Sequence, residues 1–249
     1  MSALVSLVGA GPGDPELLTV RAAKRLADAD LVLHDALAPA QLLELAPRAK
    51  RFFVGKRAGR HSIAQDGIHR LMIRAARRGL RVVRLKCGDP FVLGRGGEEA
   101  LALEAAGVPY EVVPGVSSAI AAPALAGIPV THRGLAAGFA VISGHAEAAF
   151  GPVIDSLAPN SLTLVVLMGL ATRAQLAARL IARGWPASSP AAIVLGASQD
   201  GGHRWLGTLG ELANAVIESE HAGVIVVGDV VALAPQIAPE IRHEHKRSS

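Results

Sequence analysis

The chain reads as an α/β protein built from two α/β domains with a ligand cleft between them. Three observations carry that expectation. Short Val- and Leu-rich runs alternate with helical patterns along most of the 249 residues, as in a mainly parallel sheet covered by helices. Hydrophobic residues make up 51% of the chain but aromatic ones only 3%, so the core has to be Ala, Val, Leu and Ile, which suits strands buried on both faces. The alternation is broken once, at Pro129–Gly138, and then resumes as a second set.

The first set opens with Leu4-Val5-Ser6-Leu7-Val8, an apolar run that places a strand over 4–9. Similar runs give strands near 30–34, 51–54, 81–85 and 110–113, with helical patterns near 19–28, 39–46, 65–78, 97–106 and 117–126. The second set has strands near 139–143, 162–167, 191–195, 204–207 and 224–228, and helices near 172–183 and 209–219. The boundary is expected at Arg133–Gly138, giving domains 1–133 and 138–235 and a disordered tail over 236–249. The tail histidines, His243 and His245, fit a solvated segment better than a metal site, and no metal is expected.

A net charge of +4 and a pI near 9.7 are compatible with an acidic small substrate. No basic run interleaved with aromatics points to nucleic acid. Cys87 is the single cysteine, so no intrachain disulfide can form and a reducing compartment is expected. The N-terminus enters a strand pattern without a basic n-region, and no apolar stretch approaches the roughly 18 residues of a membrane span. The expectation is a cytoplasmic protein without a membrane partner.

Two glycine-bearing loops carry the functional signal. Gly9-Ala10-Gly11-Pro12-Gly13-Asp14 follows the first strand and Asp35 ends the second, which invites a dinucleotide reading. That fingerprint needs glycines at offsets zero, two and five, whereas here an Asp sits at the last offset and would repel a pyrophosphate. Asp14-Pro15 also disfavours a helix start at that point. The loop suits a ligand without phosphate, including a cationic one. The stretch from Arg84 to Glu99 is the second loop. Its glycines surround one Asp, one Arg and two Glu, a poor composition for a core and a good one for close approach to a ligand.

Val8-Gly9-Ala10-Gly11-Pro12-Gly13-Asp14-Pro15-Glu16-Leu17-Leu18-Thr19 resembles the N-terminal motif of the tetrapyrrole (class III) methyltransferases. Val54–His61, Arg84–Glu99 and Pro129-Val130-Thr131-His132-Arg133 are similar to the subgroup that C-methylates uroporphyrinogen III. Pro114–Ala121, Ser143-Gly144-His145, Met168-Gly169-Leu170 and Val226-Val227-Gly228 agree, so the resemblance spans roughly residues 4 to 233. It implies a homodimer, S-adenosyl-L-methionine held in the cleft, and methylation of two ring carbons (C2 and C7). The product is precorrin-2, formed by way of precorrin-1, for sirohaem, cobalamin or haem d1.

The resemblance also implies residue roles: Asp35 as proton acceptor, Lys56 as proton donor, and Pro12, Cys87, Gly88, Asp89, Val92, Ser117, Ser118, Met168 and Ala197 at the methyl donor. The residues themselves fit a substrate with eight carboxylates. Lys56, Arg57, Arg60, His61 and Arg95 lie in loops after predicted strands, where α/β sheets bind ligands, and arginine forks match carboxylates. Arg57, Arg60, His61, Arg95 and Glu98 form the expected substrate-binding set. Three alternatives stay open: Asp35 as a turn or helix cap, Lys56 as a partner of a substrate carboxylate, and Met168 as core filler. The chain departs from the family at Cys87 (usually Gly), His34 (Tyr), Leu93 (Phe), Ala197 (Gly) and Gly134 (Asp). A positive φ at residue 87 would strain a cysteine there. A later-step precorrin methyltransferase is the rival activity; a nicotinamide-dependent oxidoreductase is disfavoured by the glycine offsets.

Overall fold

Parallel pairing organises the first half of the chain in a computed structural model that describes residues 5–35, 40–55, 63–217 and 221–237. Strands β1 (Val5–Gly9), β2 (Leu31–His34), β3 (Lys50–Phe53), β4 (Val82–Lys86) and β5 (Tyr110–Val113) form a sheet in the order β3-β2-β4-β1-β5. Every neighbouring pair in it is parallel. Helices α1 (Val20–Asp28), α2 (Ala40–Glu44), α3 (Gln65–Arg77) and α4 (Gly96–Ala105) alternate with these strands. Thr19 starts α1 by accepting a hydrogen bond from the Ala22 amide at 3.3 Å, which satisfies one of the unpaired N–H groups of the first turn. Both faces of the sheet are packed. Val5, Leu7, Leu33 and Val82 meet Met72 of α3 and Leu103 of α4 on one side. Val8, Val32, Val83 and Leu85 meet Leu26 of α1 and Leu42 of α2 on the other.

The second half holds α5 (Ser118–Leu125), β6 (Phe139–Ser143), α6 (Glu147–Ser156), β7 (Thr163–Leu167), α7 (Arg173–Ala182), β8 (Pro190–Leu195), β9 (His203–Thr208), β10 (Gly223–Val227) and α8 (Ala234–Ile237). Its sheet runs β6-β7-β10-β8-β9. Only β6 and β7 pair in parallel; β7–β10, β10–β8 and β8–β9 are antiparallel. Trp185 and Phe150 are buried in the core on one face, beside Leu164, Ile193 and Ile225.

The chain divides into two compact units at Ser117/Ser118, not at the interruption over 133–138. The reason is α5. Its Ala119 and Ala122 pack with Val165, Ala192, Val194, Val224 and Val226, so the helix belongs to the second sheet although it follows the last strand of the first. Two element readings also differ. Helix α6 goes unseen in the pattern because Gly151-Pro152 interrupts it, yet Phe150 and Ile154 lie one turn apart and are fully buried. The helix expected over 209–219 is only a short 3-10 turn at Leu212–Asn214. Buried Leu209, Leu212 and Ala215 recur every three residues, the period of that tighter turn. No helix among the described residues is long and apolar enough to cross a membrane. Of the disordered tail expected over 236–249, residues 236 and 237 instead end α8, and the rest lies outside the described residues.

Candidate active site

The strands of the first sheet end together, and glycine lets the segments beyond them touch. A Cβ on Gly9 would meet Gly115 N at 2.5 Å and Gly88 O at 2.6 Å, so the backbones after β1, β4 and β5 are in direct contact there. Gly11 and Gly88 exchange backbone hydrogen bonds of 3.2 and 2.8 Å, both in the left-handed region with φ of 71° and 65°. Cys87 is absent from the positive-φ residues, so the strain that a left-handed cysteine would carry does not arise; Gly88 takes that conformation instead. Ala197 is also absent from the left-handed residues, although both its neighbours are left-handed, Gly196 at φ 55° and Ser198 at φ 64°. Asp14 caps the short 3-10 turn Pro15–Leu17 by accepting from the Glu16 amide at 2.8 Å.

Asp89 bridges two of the loops. Its Oδ1 accepts from the Phe91 amide at 2.8 Å and its Oδ2 from the Gly115 amide at 3.1 Å. Each oxygen keeps a second lone pair for an ammonium or a hydroxyl. Beyond it Leu93 and Arg95 are both left-handed, at φ 52° and 57°. Such backbone costs about 1 kcal/mol or more for a non-glycine residue and concentrates at functional sites. Val92, just before Leu93, is half-buried. Arg95 and Glu98, both expected to bind substrate, are paired with each other: Nε donates to Oε1 at 2.8 Å and Nη2 to Oε2 at 2.6 Å. The pair is exposed, and the hydrogen bond raises the arginine and lowers the carboxyl from their ordinary ranges.

Asp35 follows β2, and its carboxylate faces the Arg84 guanidinium. Nη2 donates to Oδ1 at 2.7 Å and to Oδ2 at 2.9 Å. Arg84 in turn donates through Nε to Glu99 Oε1 at 2.9 Å, and Lys86 Nζ sits 3.0 Å from Glu99 Oε2. Gln65 of α3 adds a donor to Glu99 Oε1 at 3.1 Å. Arg84, Lys86 and Glu99 are 2%, 4% and 0% exposed, while the Asp35 side chain keeps 32%. The sequence reading missed these three residues. The signal was there: Arg84 and Lys86 alternate with Val83 and Leu85 in β4, and the register neighbours of Arg84 are Leu7 and Leu33. Two cations on one buried face of a central parallel strand need a stated partner.

The other expected donor residues fall at strand ends and loop turns. Pro12 is buried and Cys87 and Asp89 half-buried on the first unit's loops. Burial pushes the Cys87 thiol up, with the Asp35 charge adding to it. Ser117 closes the first unit and Ser118 opens α5. Ala197 follows β8 and packs against the core. Met168 follows β7 at φ 60° with 52% exposure, which rules out core filler. Lys56, Arg57, Arg60 and His61 lie outside the described residues. Among the described residues no group of three or more His, Cys, Asp and Glu could hold a metal ion.

The family profile for Tetrapyrrole (Corrin/Porphyrin) Methylases matches residues 4–213. The chain belongs to the tetrapyrrole methylase family. Among its relatives, the uroporphyrinogen-III C-methyltransferase of Methanocaldococcus jannaschii is 44% identical over 237 residues, covering 93% of this chain and 98% of that protein. The siroheme synthase of Actinobacillus pleuropneumoniae is 45% identical over 236 residues, covering 94% of this chain. This tetrapyrrole methylase spans about half the length of that siroheme synthase, 49%. In three dimensions it is similar to the Thermus thermophilus uroporphyrin-III C-methyl transferase complexed with S-adenyl homocysteine. That likeness has a TM-score of 0.79 at 44% identity and covers 92% of this chain and 98% of the other.

Proposed function

We propose that this tetrapyrrole methylase transfers methyl groups from S-adenosyl-L-methionine to C2 and C7 of uroporphyrinogen III, forming precorrin-2 through precorrin-1. The observation that carries the proposal is the similarity to the Methanocaldococcus uroporphyrinogen-III C-methyltransferase along nearly the full length of both chains. The local chemistry agrees. The donor, a substrate of the reaction, supplies an electrophilic methyl on a sulfonium. A carbon of the electron-rich reduced ring bonds to that methyl as the methyl–sulfur bond breaks, and the ring then discharges its positive charge by losing a proton. Little is asked of the protein beyond alignment and a place for the proton.

Asp35 is the proposed acceptor. It is the partly exposed carboxylate at the end of β2, and each of its oxygens keeps a lone pair beyond the bond to Arg84. Lys56 is the proposed proton donor. Pro12, Cys87, Gly88, Asp89, Val92, Ser117, Ser118, Met168 and Ala197 are proposed to hold the methyl donor, with Asp89 offering its remaining lone pairs to the ammonium or ribose. Arg57, Arg60, His61 and Arg95 take substrate carboxylates, and Glu98 yields Arg95 to them. The working unit is proposed to be a homodimer.

Incubation with labelled S-adenosylmethionine and uroporphyrinogen III, followed by mass analysis, tests the reading. The expected product carries two added methyl groups. No transfer to uroporphyrinogen III, with transfer to a later precorrin instead, would reject it in favour of the sibling activity.

A further inference from the structure

Arg84, Lys86 and Glu99 take no part in the roles assigned above, yet among the described residues they are the most deeply buried charges of the first unit. We propose that Glu99 and Lys86 are positioning residues for the reaction: through Arg84 they set, with opposite signs, how firmly Asp35 holds a proton. The inference rests on Asp35 as the proton acceptor.

Four observations carry it. First, Arg84 is locked. Its five N–H donors meet five acceptors: Glu99 Oε1 for Nε, Leu33 O and Leu85 O at 3.4 and 3.1 Å for Nη1, and both Asp35 oxygens for Nη2. A guanidinium held this way cannot swing out to a ligand, so it fixes Asp35. Second, one guanidinium serves two carboxylates. The pull that Arg84 exerts on Asp35 is therefore shared with Glu99, and Lys86 at 3.0 Å weakens what Glu99 takes. Third, the set is neutral as a whole: two anions, Asp35 and Glu99, against two cations, Arg84 and Lys86. A proton on Asp35 leaves it with one excess positive charge in a buried place, so the charge of each distant member weighs on that proton. Fourth, stability does not require such a set, because well-packed apolar residues do as well or better than buried ion pairs, and the surrounding face is Val5, Leu7, Leu33, Val82 and Leu103.

Among the described residues, the groups around this set come from several elements. Arg84 and Lys86 come from β4, Cys87 from the loop beyond it, Glu99 and Glu98 from α4, Gln65 and His69 from α3, and His34 from β2 itself. Burial, followed by the charge of Arg84, pushes the Lys86 ammonium down, while Glu99 and Asp35 hold it up. Lys86 thus responds to each of the other three side chains.

The test is a carbon-13 NMR titration of the Asp35 carboxyl in the full chain, assigned by the resonance lost in Asp35→Asn. It needs no substrate. Glu99→Gln removes an anion and should lower the Asp35 midpoint by about one pH unit; Lys86→Gln removes a cation but keeps a donor and should raise it by a similar amount. The double variant should return toward the parent, and its difference from Lys86→Gln gives the Glu99 effect even where Glu99→Gln alone does not fold. The acid limb of the pH–rate profile should follow each midpoint. Midpoints that stay put, or move in one direction for both variants, overturn the coupling, whatever Asp35→Asn does to turnover. Midpoints that move while the acid limb does not would overturn Asp35 as acceptor, and with it the catalytic sense of the coupling.

Discussion

Asp35 differs from its partners in one respect that matters for chemistry: it is the member of the buried charge set that reaches solvent. Asp35→Asn keeps the shape and most of the hydrogen bonding but removes basicity. Turnover should fall about 10²-fold or more, the usual share of a general base, while calorimetry should find donor binding unchanged. Arg95→Ala should weaken uroporphyrinogen binding about tenfold, the size of one lost charge-assisted bond, again with donor binding preserved; equal losses for both ligands would assign Arg95 a structural role. At this scale the sequence was informative where a residue ended a strand or sat among glycines. Asp35, Asp89 and Arg95 could be picked out as candidates on those grounds, and the structure pairs Arg95 with Glu98. Arg84 and Lys86 were not read, although their place in a central strand made their burial costly. Their partner Glu99 is thirteen residues beyond Lys86 and on a helix, a pairing that only the tertiary fold creates.

Among the elements, the strand ends of the first sheet depend on missing side chains. A Cβ on Gly115 would meet Gly9 Cα at 2.7 Å, with the Gly88 carbonyl closer still. Gly115→Ala should therefore cost about 3 kcal/mol or more, as overpacking against backbone does, and weaken donor binding with it. Gly97, in the first turn of α4, has nothing within 4 Å of such a Cβ. Gly97→Ala should stabilise by about 0.5 kcal/mol through helix propensity alone. Urea denaturation of the two variants separates a glycine needed for close approach from one that is merely present. The strands were readable because each is a short apolar run; β9, with its exposed positions, was readable because Trp205 and Leu206 break a polar stretch. Helix α6 and the turn at Leu212–Asn214 were misread because proline and a three-residue spacing mimic other structures until packing decides between them.

For the whole molecule, the assignment of α5 has an experimental edge. A fragment of residues 118–237 keeps the helix that covers Val224 and Val226 and should unfold cooperatively in urea. One of residues 138–237 leaves those side chains bare and should be much less stable or collapse without cooperativity. Acid should weaken the protein through several surface pairs. Hydrogen bonds from Arg81, Arg25 and Arg179 hold Asp30, Glu111 and Asp155 below the ordinary carboxylate range. The unfolded chain then takes up protons first as pH falls, so the stability these pairs contribute is complete above about pH 5 and is lost progressively below about pH 4. Each exposed pair gives little, and urea midpoints at about pH 7 and about pH 3.5 should differ modestly but in that direction. The burial of Trp185 has a consequence for all such measurements. The chain's two tryptophans, Trp185 and Trp205, both belong to the unit that begins at Ser118, and its single tyrosine, Tyr110, to the other. Light absorbed only by indole therefore watches one unit and is blind to the unit that carries Asp35. A fluorescence melt excited at the red edge of indole absorption would report a loss of structure around Asp35 only if the second unit melts with it, so its agreement or disagreement with circular dichroism is itself a measure of how independently the two units unfold.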